Sequence, residues 1–367
     1  MSSQAPGSAR RFILPGLFVL MLFVVLVARR EPPTRVASLP HTAGETMGTT
    51  WTVRWVPTSS GEDGNHPVER VNQSVQAALD AVDGTMSTYK PDSELMRLNR
   101  HQGESPMEVS ASLMDVLLEA KRIHEWSSGG FDVTVSPLVQ AWGFGHQPDA
   151  SPPDAAAITA LRARVGQQHL ALVSAGEGGA TPHARRLRED VRVDLSALAK
   201  GYGVDRAADA LIELGLENFM VEVGGEVRVV GTRQGTPWRI GVEVPDGGKQ
   251  DVHVVVPLVD QALATSGDYR QVNWVDGKPI SHTIDPRTGR PVAHQLASVS
   301  VVAETAMRAD ALATALMVLG PVEGHALAED KGWPALFLVP RAEGEFEEKP
   351  TSQWKRILAG SRSPGAH

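Results

Sequence analysis

The sequence predicts an α+β fold, built from mixed sheets with packed helices, behind an N-terminal apolar segment. Stretches rich in β-branched and aromatic residues alternate with stretches of helical periodicity, without the regular spacing of βαβ units. The 35 glycines and 25 prolines indicate many turns rather than a helical bundle. At 367 residues, 42% of them hydrophobic, the chain can bury one large core or two smaller ones.

The N-terminus predicts a membrane anchor. Residues 12–28 carry no charge, and pairs of arginines flank them at 10–11 and 29–30. This length lies at the short end of the roughly 17–25 residues of a spanning helix and exceeds the about 7–15 of a secretory leader. We therefore predict that residues 1–30 form an uncleaved single-pass anchor in the inner (cytoplasmic) membrane, with the rest of the chain on the periplasmic side. A cleaved signal peptide is the alternative.

Behind the anchor, residues 31–45 are predicted to form a proline-rich linker, residues 46–345 the main domain, and residues 346–367 a polar tail. The apolar spacing predicts helices near Val68–Val82, Ser112–Trp126, Ala155–Val165, Ala199–Leu214 and Met307–Leu319. Strands are predicted at Thr49–Val56, Leu170–Val173, Arg192–Leu195, Trp238–Val244, Val252–Val259, Val272–Trp274, Ala297–Val302 and Ala335–Val339, with two short ones within Phe219–Val230.

Charge and cysteine content exclude several classes of function. The net charge of −8 leaves no basic excess to neutralise phosphates, which argues against a nucleic-acid partner. The chain has no cysteine, so disulfides, cysteine-ligated zinc, iron–sulfur clusters and thiol catalysis are excluded. Common nucleotide signatures are also missing. No GxxxxGK[ST] occurs, and the GxGxxG-like run at Gly201–Arg206 ends in arginine inside a predicted helix, so a nucleotide would not be held in the Rossmann way.

Asp310 and Thr314 are candidates for a metal site. They stand four residues apart on a predicted helix and therefore share a face. A carboxylate and a hydroxyl are hard oxygen ligands, which suit Mg²⁺ rather than zinc. The alternative is that Asp310 caps the helix while Thr314 bonds back to a carbonyl.

The segment Asp194–Lys200 lies between a predicted strand and a predicted helix. A helix N-terminus can bind an anion, and Lys200 would add positive charge beside a phosphate. Alternatively, Asp194 or Ser196 simply caps the helix. Both interpretations remain open from the residues alone.

A tight turn at Ser281–Arg290 brings polar groups together. Pro286 and Gly289 account for the turn, but they do not account for His282 and Asp285. A histidine beside a carboxylate can act as a general base for a hydroxyl nucleophile. An ordinary surface turn is the alternative.

Three further segments could contact a ligand. The runs Ala264–Arg270 and Glu222–Glu226 are rich in small residues, compatible with close backbone approach to a ligand. Met86–Tyr89 offers a thioether and an aromatic ring that could pack against a flat ring, although core packing explains the same residues.

The order of these segments resembles one family, the FAD:protein FMN transferases (the ApbE family), from about Thr46 to Val339. The matching stretches are TMGTTW from Thr46, MSTYKPDSELMRLNR from Met86, FDVTVSPLVQAWGFG from Phe131, VDLSALAKGYGVDR from Val193, VEVGGEVRVVG from Val221, ATSGDYR from Ala264, SHTIDPRTGRPV from Ser281 and ADALATALMVLG from Ala309. The resemblance implies a T-fold-like catalytic domain.

The resemblance also implies roles for particular residues. FAD, the substrate, would be held by Met47, Tyr89, Gly130, Phe131, Asp132, Asp194 and Lys200, with Ser266, Gly267, Asp268, His282 and Ile284 lining the same pocket. Mg²⁺ would be bound by the side chains of Asp310 and Thr314 and the carbonyl of Ala197. His282 is the expected catalytic base, with Asp285 orienting it or serving instead.

The implied reaction is transfer of the FMN moiety of FAD to a Thr or Ser hydroxyl of an acceptor protein, with release of AMP. The family's acceptors are flavin-carrying subunits of membrane redox complexes, and an N-terminal anchor would hold the enzyme beside them. Two alternatives are an FAD pyrophosphatase, in which water replaces the protein hydroxyl, and an exported FAD-binding protein without turnover. A membrane-tethered scaffold would leave the series of motifs unexplained.

Overall fold

The computed structural model describes residues 39–57, 67–103, 105–144, 152–175, 181–245, 251–267, 272–275, 278–342 and 344–360. The predicted anchor, Asp268 and the last seven residues of the predicted tail lie outside the described residues. The chain divides at Pro40, and the fold below is that of the unit from Pro40 onward.

The described unit contains helices and strands in mixed order. The helices are α1 (Val68–Met86), α2 (Glu94–Arg100), α3 (Ala111–Trp126), α4 (Ser136–Ala141), α5 (Ala155–Arg162), α6 (Ser196–Glu213), α7 (Ala306–Lys331) and α8 (Ser352–Gly360), with a 3₁₀ turn at Gln167–His169. The strands are β1 (His41–Thr46), β2 (Thr49–Trp55), β3 (Met107–Glu108), β4 (Leu170–Val173), β5 (His183–Arg186), β6 (Phe219–Val223), β7 (Glu226–Val230), β8 (Trp238–Glu243), β9 (Val252–Leu258), β10 (Ala262–Gly267), β11 (Val272–Val275), β12 (Lys278–Ser281), β13 (Ile284–Asp285), β14 (Arg290–Pro291), β15 (Ser298–Ala303), β16 (Ala335–Pro340) and β17 (Phe346–Pro350).

One eight-stranded sheet organises the domain, in the order β1-β2-β6-β7-β10-β15-β16-β17, and its neighbouring strands pair antiparallel. A three-stranded sheet, β3-β5-β4, and the ribbons β8-β9, β11-β12 and β13-β14 lie outside it. The predicted α+β class is therefore confirmed.

Helix α1 covers one end of the main sheet because its apolar residues recur every three or four positions. Val71, Val75 and Leu79 are buried against β2, β6 and α6. The indole of Trp51 on β2 is fully buried, and its Nε1 donates to Gln76 Oε1 of α1 at 2.9 Å. Burial of these side chains fixes α1 and α6 on the same sheet face.

Helices α6 and α7 approach each other very closely at Gly201. A Cβ atom there would lie 2.3 Å from the carbonyl oxygen of Ala306, so a larger residue would force the helices apart. Nearby, the buried carboxylate of Asp205 accepts hydrogen bonds from the backbone N–H groups of Ala306 and Met307, both at 2.9 Å. These contacts cap the first turn of α7 and fix its register on α6.

Three segments differ from the sequence prediction. Residues 192–195 form no strand, because Val193 exchanges two 2.8 Å hydrogen bonds with the side chain of Asn99. Strand β1 begins inside the predicted linker. In the predicted tail, β17 pairs with β16, and α8 buries Trp354 to 1% exposure, so residues 346–360 belong to the domain. A single buried aromatic in a polar stretch gives too little periodicity to reveal this helix.

Within the described part of the chain, α7 is the one helix long and apolar enough to cross a membrane. Most of its apolar window is buried inside the domain, and its helical geometry breaks at Gly320, directly before Pro321. A buried core helix has the same composition, so α7 does not indicate a membrane span. The anchor at residues 1–30 stays a prediction.

Candidate active site

A cavity of about 420 Å³ opens between α6, α7 and the ends of several strands. It brings together seven of the residues to which the family resemblance assigns a role, namely Ala197, Lys200, Ser266, Gly267, His282, Asp310 and Thr314. They come from four separate stretches of the chain, so the fold, and not sequence proximity, assembles them. This cavity is the candidate active site.

Asp310 lies on α7 at the bottom of this arrangement and is 4% exposed. Its Oδ2 accepts one hydrogen bond, from the backbone N–H of Gly201 on α6 at 3.1 Å. Burial raises the pKa of Asp310, and the charge of Lys200 and the Gly201 N–H offset part of that rise. The carboxylate is thus desolvated and, among the described residues, has a single hydrogen-bond donor.

Thr314 lies one turn further along α7, as the four-residue spacing predicts. Its Oγ1 is 3.3 Å from Ser266 Oγ on β10. Asp310, Thr314 and Ser266 line the same cavity as Ala197, and their carboxylate and hydroxyl oxygens are donors that suit a hard cation. No group of three His, Asp or Glu side chains suited to a metal occurs in the described part of the chain. The Mg²⁺ site stays a prediction.

Glu226, the first residue of β7, closes the run Glu222–Glu226 that the sequence singled out for its small residues, but its carboxylate was given no role there. It is 3% exposed, lines the cavity and forms an ion pair with Lys200, while its Oε2 is buried without a hydrogen-bond partner in the described structure. Burial raises the pKa of Glu226 to about 8, the charge of Asp310 adds to the rise, and Lys200 opposes it. The Gly224-Gly225 turn was visible in the sequence, but the burial of the residue after it was not.

His282 lines the cavity, and its ring contacts Phe144 edge-on with centroids 6.3 Å apart. Asp285, three residues later, turns to a different partner: its carboxylate accepts two 3.0 Å hydrogen bonds from the guanidinium of Arg287. Arg287 also bonds Glu323 of α7 at 2.6 Å. These ion pairs hold the turn that carries His282.

Other residues with predicted FAD contacts lie outside this cavity. Tyr89 is 79% exposed. Met47 lines a different cavity at the β1–β2 turn. Asp194 accepts a hydrogen bond from the N–H of Ser196 at 2.9 Å in the turn before α6, but the N-cap position of that helix is Leu195 and carries no side-chain cap. Ile284 is buried in an apolar cluster with Leu138 of α4, Phe144 and Val165.

The segment Gly130–Asp132 forms a buried loop. Asp132 is 6% exposed, and its carboxylate accepts hydrogen bonds from the backbone N–H and hydroxyl of Thr134 and from the N–H of Gln167. His124 Nδ1 lies 3.2 Å from the same carboxylate and 2.9 Å from the carbonyl oxygen of Phe131. This network fixes the loop from within, and the role of these residues toward FAD stays a prediction.

The cavity is lined by an ammonium group, two buried carboxylates and a histidine. Enzymes that act on phosphate esters use groups of these types. Comparison with known proteins agrees with this class. The model of the ApbE family matches residues 47–337. The chain therefore belongs to the ApbE family, as its motifs predict.

Relatives with established names match almost end to end. The chain is 40% identical to an FAD:protein FMN transferase of Vibrio cholerae, over 93% of this chain and 98% of that protein. It is 35% identical to an FAD:protein FMN transferase of Escherichia coli K12, over 96% and 99%. These relatives confirm the predicted class of enzyme, a transferase.

Solved structures give the same result. The flavin transferase ApbE from Vibrio cholerae superposes with a TM-score of 0.74 at 40% identity, over 88% of this chain and 99% of that one. The apo flavinyl transferase ApbE of Pseudomonas stutzeri superposes with a TM-score of 0.75 at 35% identity, over 87% and 96%. The described domain therefore has the fold of this family.

Proposed function

We propose that this chain transfers the FMN moiety of FAD to a Thr or Ser hydroxyl of an acceptor protein, in a reaction that requires Mg²⁺ and releases AMP. The observation that carries the proposal is the convergence of Lys200, His282 and Asp310 on one cavity in a chain whose relatives are named FAD:protein FMN transferases. An ammonium suits a pyrophosphate substrate, a buried carboxylate suits the cation that would neutralise it, and a histidine at the wall suits proton removal from a hydroxyl.

The side chains of Asp310 and Thr314 and the carbonyl of Ala197 would hold Mg²⁺. Bound there, the cation would neutralise charge on the phosphate groups of FAD. The burial of Asp310 with a single hydrogen-bond donor supports this assignment, because a desolvated carboxylate without enough donors gains most from a cation.

The side chains around the cavity bind the phosphate groups, accept a proton and orient the base. Lys200 faces the phosphate groups, and Glu226 holds its ammonium in place through their ion pair. His282 accepts the proton of the acceptor hydroxyl as that oxygen bonds to the FMN phosphorus and the bond from this phosphorus to AMP breaks. Asp285 orients the histidine indirectly, because its ion pair with Arg287 fixes the turn.

A transfer assay with the full chain tests the proposal. FAD, Mg²⁺ and a candidate acceptor domain are incubated, and the products are followed by in-gel flavin fluorescence and intact mass. We expect a covalent FMN adduct and AMP, both abolished by EDTA. Free FMN and AMP without an adduct would identify a pyrophosphatase. Bound FAD with neither product would identify a binding protein.

The location of the enzyme is part of the proposal. Residues 1–30 would anchor it in the inner membrane, with the domain on the periplasmic side, beside flavin-carrying subunits of membrane redox complexes. The uncharged stretch at 12–28 between arginine pairs supports this topology. Fractionation of cells, followed by protease treatment of spheroplasts, tests it: the domain should remain with membranes and be digested from outside.

A further inference from the structure

The ribbon β8–β9 forms one wall of the active-site cavity and is not part of the main sheet. Residues 240–243 of β8 line the cavity together with Lys200 and His282. Within the described residues β8 pairs with β9 alone, so its other edge has no neighbouring strand. An open strand edge beside reacting groups is unusual, because proteins generally cover or blunt such edges.

The register of the ribbon identifies the backbone groups on that edge. Arg239 is directly opposite Pro257, which has no N–H, so this pair cannot exchange both ladder hydrogen bonds. At the other end, the N–H of Val244 donates to Asp251 at 2.8 Å. The even-numbered residues of β8 therefore bond to β9, and the N–H and C=O groups of Arg239 and Gly241 point away from it.

These outward-facing groups are exposed and unbonded in the described structure. Arg239 and Gly241 are both exposed, and no strand or side chain among the described residues bonds to their backbone. The edge of β1 is different: the side-chain amides of Asn72 and Gln76 donate to the carbonyl oxygens of Ala43 and Glu45, both at 3.2 Å. Among the described residues, the edge of β1 is thus covered and the edge of β8 beside the cavity is not.

The geometry points to a docking mode for the acceptor: an extended segment carrying the reactive hydroxyl pairs with the open edge of β8 at Gly241. This inference rests on the proposed function and specifies how its protein substrate is recognised. A strand added to a sheet edge gains backbone hydrogen bonds that do not depend on its sequence. Pairing along Arg239–Gly241 would engage about three residues of the segment, one opposite each residue of β8.

The cavity lies directly beside this edge. Ile240 and Val242 are buried, Gly241 and Glu243 are exposed, and all four residues line the cavity. A strand added at Gly241 would alternate its side chains between the two faces of the ribbon, so every second residue of the segment would lie on the same face.

Two matched prolines test the docking mode in the full chain. In Gly241→Pro the ring removes the outward N–H and blocks pairing, and we expect the KM for the acceptor to rise about tenfold or more. Val255→Pro is the control, because Val255 is the cross-strand partner of Gly241 and its own N–H is likewise not used between the two strands. Its acceptor KM should match that of the wild type. Equal KM values for both variants would overturn the docking mode.

A second measurement uses the wild-type enzyme and does not depend on how Gly241→Pro folds. The modified hydroxyl is mapped by mass spectrometry, and peptides of about ten residues around it are N-methylated at one position each. Pairing predicts that methylation impairs transfer at alternate residues, with a period of two. A flat response would overturn the docking mode and leave the transferase function standing. No adduct with any unmodified acceptor would overturn the proposed function, and the docking mode with it.

Discussion

The loop around Asp132 and the cavity around Asp310 each contain a carboxylate that is almost fully buried, at 6% and 4% exposure. They differ in the donors that surround them. Asp132 accepts three hydrogen bonds from Thr134 and Gln167 and lies within 3.2 Å of His124. Within the described part of the chain, Asp310 accepts one, from Gly201, and the nearby Oε2 of Glu226 has no hydrogen-bond partner.

The difference distinguishes a carboxylate whose hydrogen-bond donors lie within its own surroundings from the one that we propose to bind a cation. A buried charge is tolerated when hydrogen-bond donors compensate it, and Asp132 has them within its own loop. Asp310 and Glu226 share the ammonium of Lys200, and burial raises the pKa of both carboxyl groups. Two buried carboxyl groups thus face one ammonium group, and a bound cation would supply the second positive charge.

The largest effect is expected from Asp310→Ala. Transfer of FMN should fall about 10²- to 10³-fold or more, because electrostatic stabilisation at the phosphate would be lost. The melting temperature should not fall, since the substitution removes a desolvated charge with one donor. Adduct formation and thermal unfolding are measured on the same preparation. Full activity in this variant would refute the metal assignment.

Asp132→Ala should show the opposite profile. It leaves the N–H groups of Thr134 and Gln167 buried and unpaired, so the free energy of unfolding should drop by about 3 kcal/mol. Chemical denaturation measures this loss, and FAD titration of the folded variant measures binding. Unchanged stability combined with lost FAD binding would show instead that Asp132 contacts the flavin directly.

Gly201→Ala tests whether the helix contact prepares the Asp310 site. The added Cβ would meet the carbonyl of Ala306 at 2.3 Å, so α6 and α7 must separate. We expect a loss of about 2 kcal/mol in stability, accompanied by reduced transfer. Gly84→Ala is the matched control. Gly84 is an exposed residue of α1 with no neighbouring atom within 4 Å of its new Cβ, and the change should stabilise by about 0.5–1 kcal/mol. Loss of stability in both variants would contradict a role for the helix contact.

The sequence could predict much of the Asp310 site because the chemistry of that site is visible in residue types and short spacings. Asp310 and Thr314 lie on one helix, and Lys200 follows a helix start. The sequence could not reveal that the Asp132 carboxylate has enough hydrogen-bond donors. One of these donors belongs to Gln167, which is 35 positions away and is brought close only by the folded chain. The run Glu222–Glu226 was singled out for its small residues, but the ion pair of Glu226 with Lys200 could not be foreseen for the same reason. The burial of Glu226 and its pairing with α6 come from the folded chain, and no local pattern encodes them.

The smallest expected effect is a pH dependence of stability that arises from His124 beside the Asp132 carboxylate. The hydrogen bond to Asp132 raises the pKa of His124, burial opposes the rise, and the charge of Asp132 adds to it. A histidine whose folded pKa is raised stabilises the protein fully below its unfolded value of about 6.5, and this contribution is lost as the pH rises through the folded pKa. The stability advantage of the wild type over His124→Gln should therefore be greater at pH 6 than at pH 8.5, by about 1 kcal/mol. Denaturant titrations at both pH values measure the difference. If the stability difference between the wild type and His124→Gln does not change with pH, Thr134 and Gln167 alone stabilise the Asp132 carboxylate. His124 then contributes packing rather than charge.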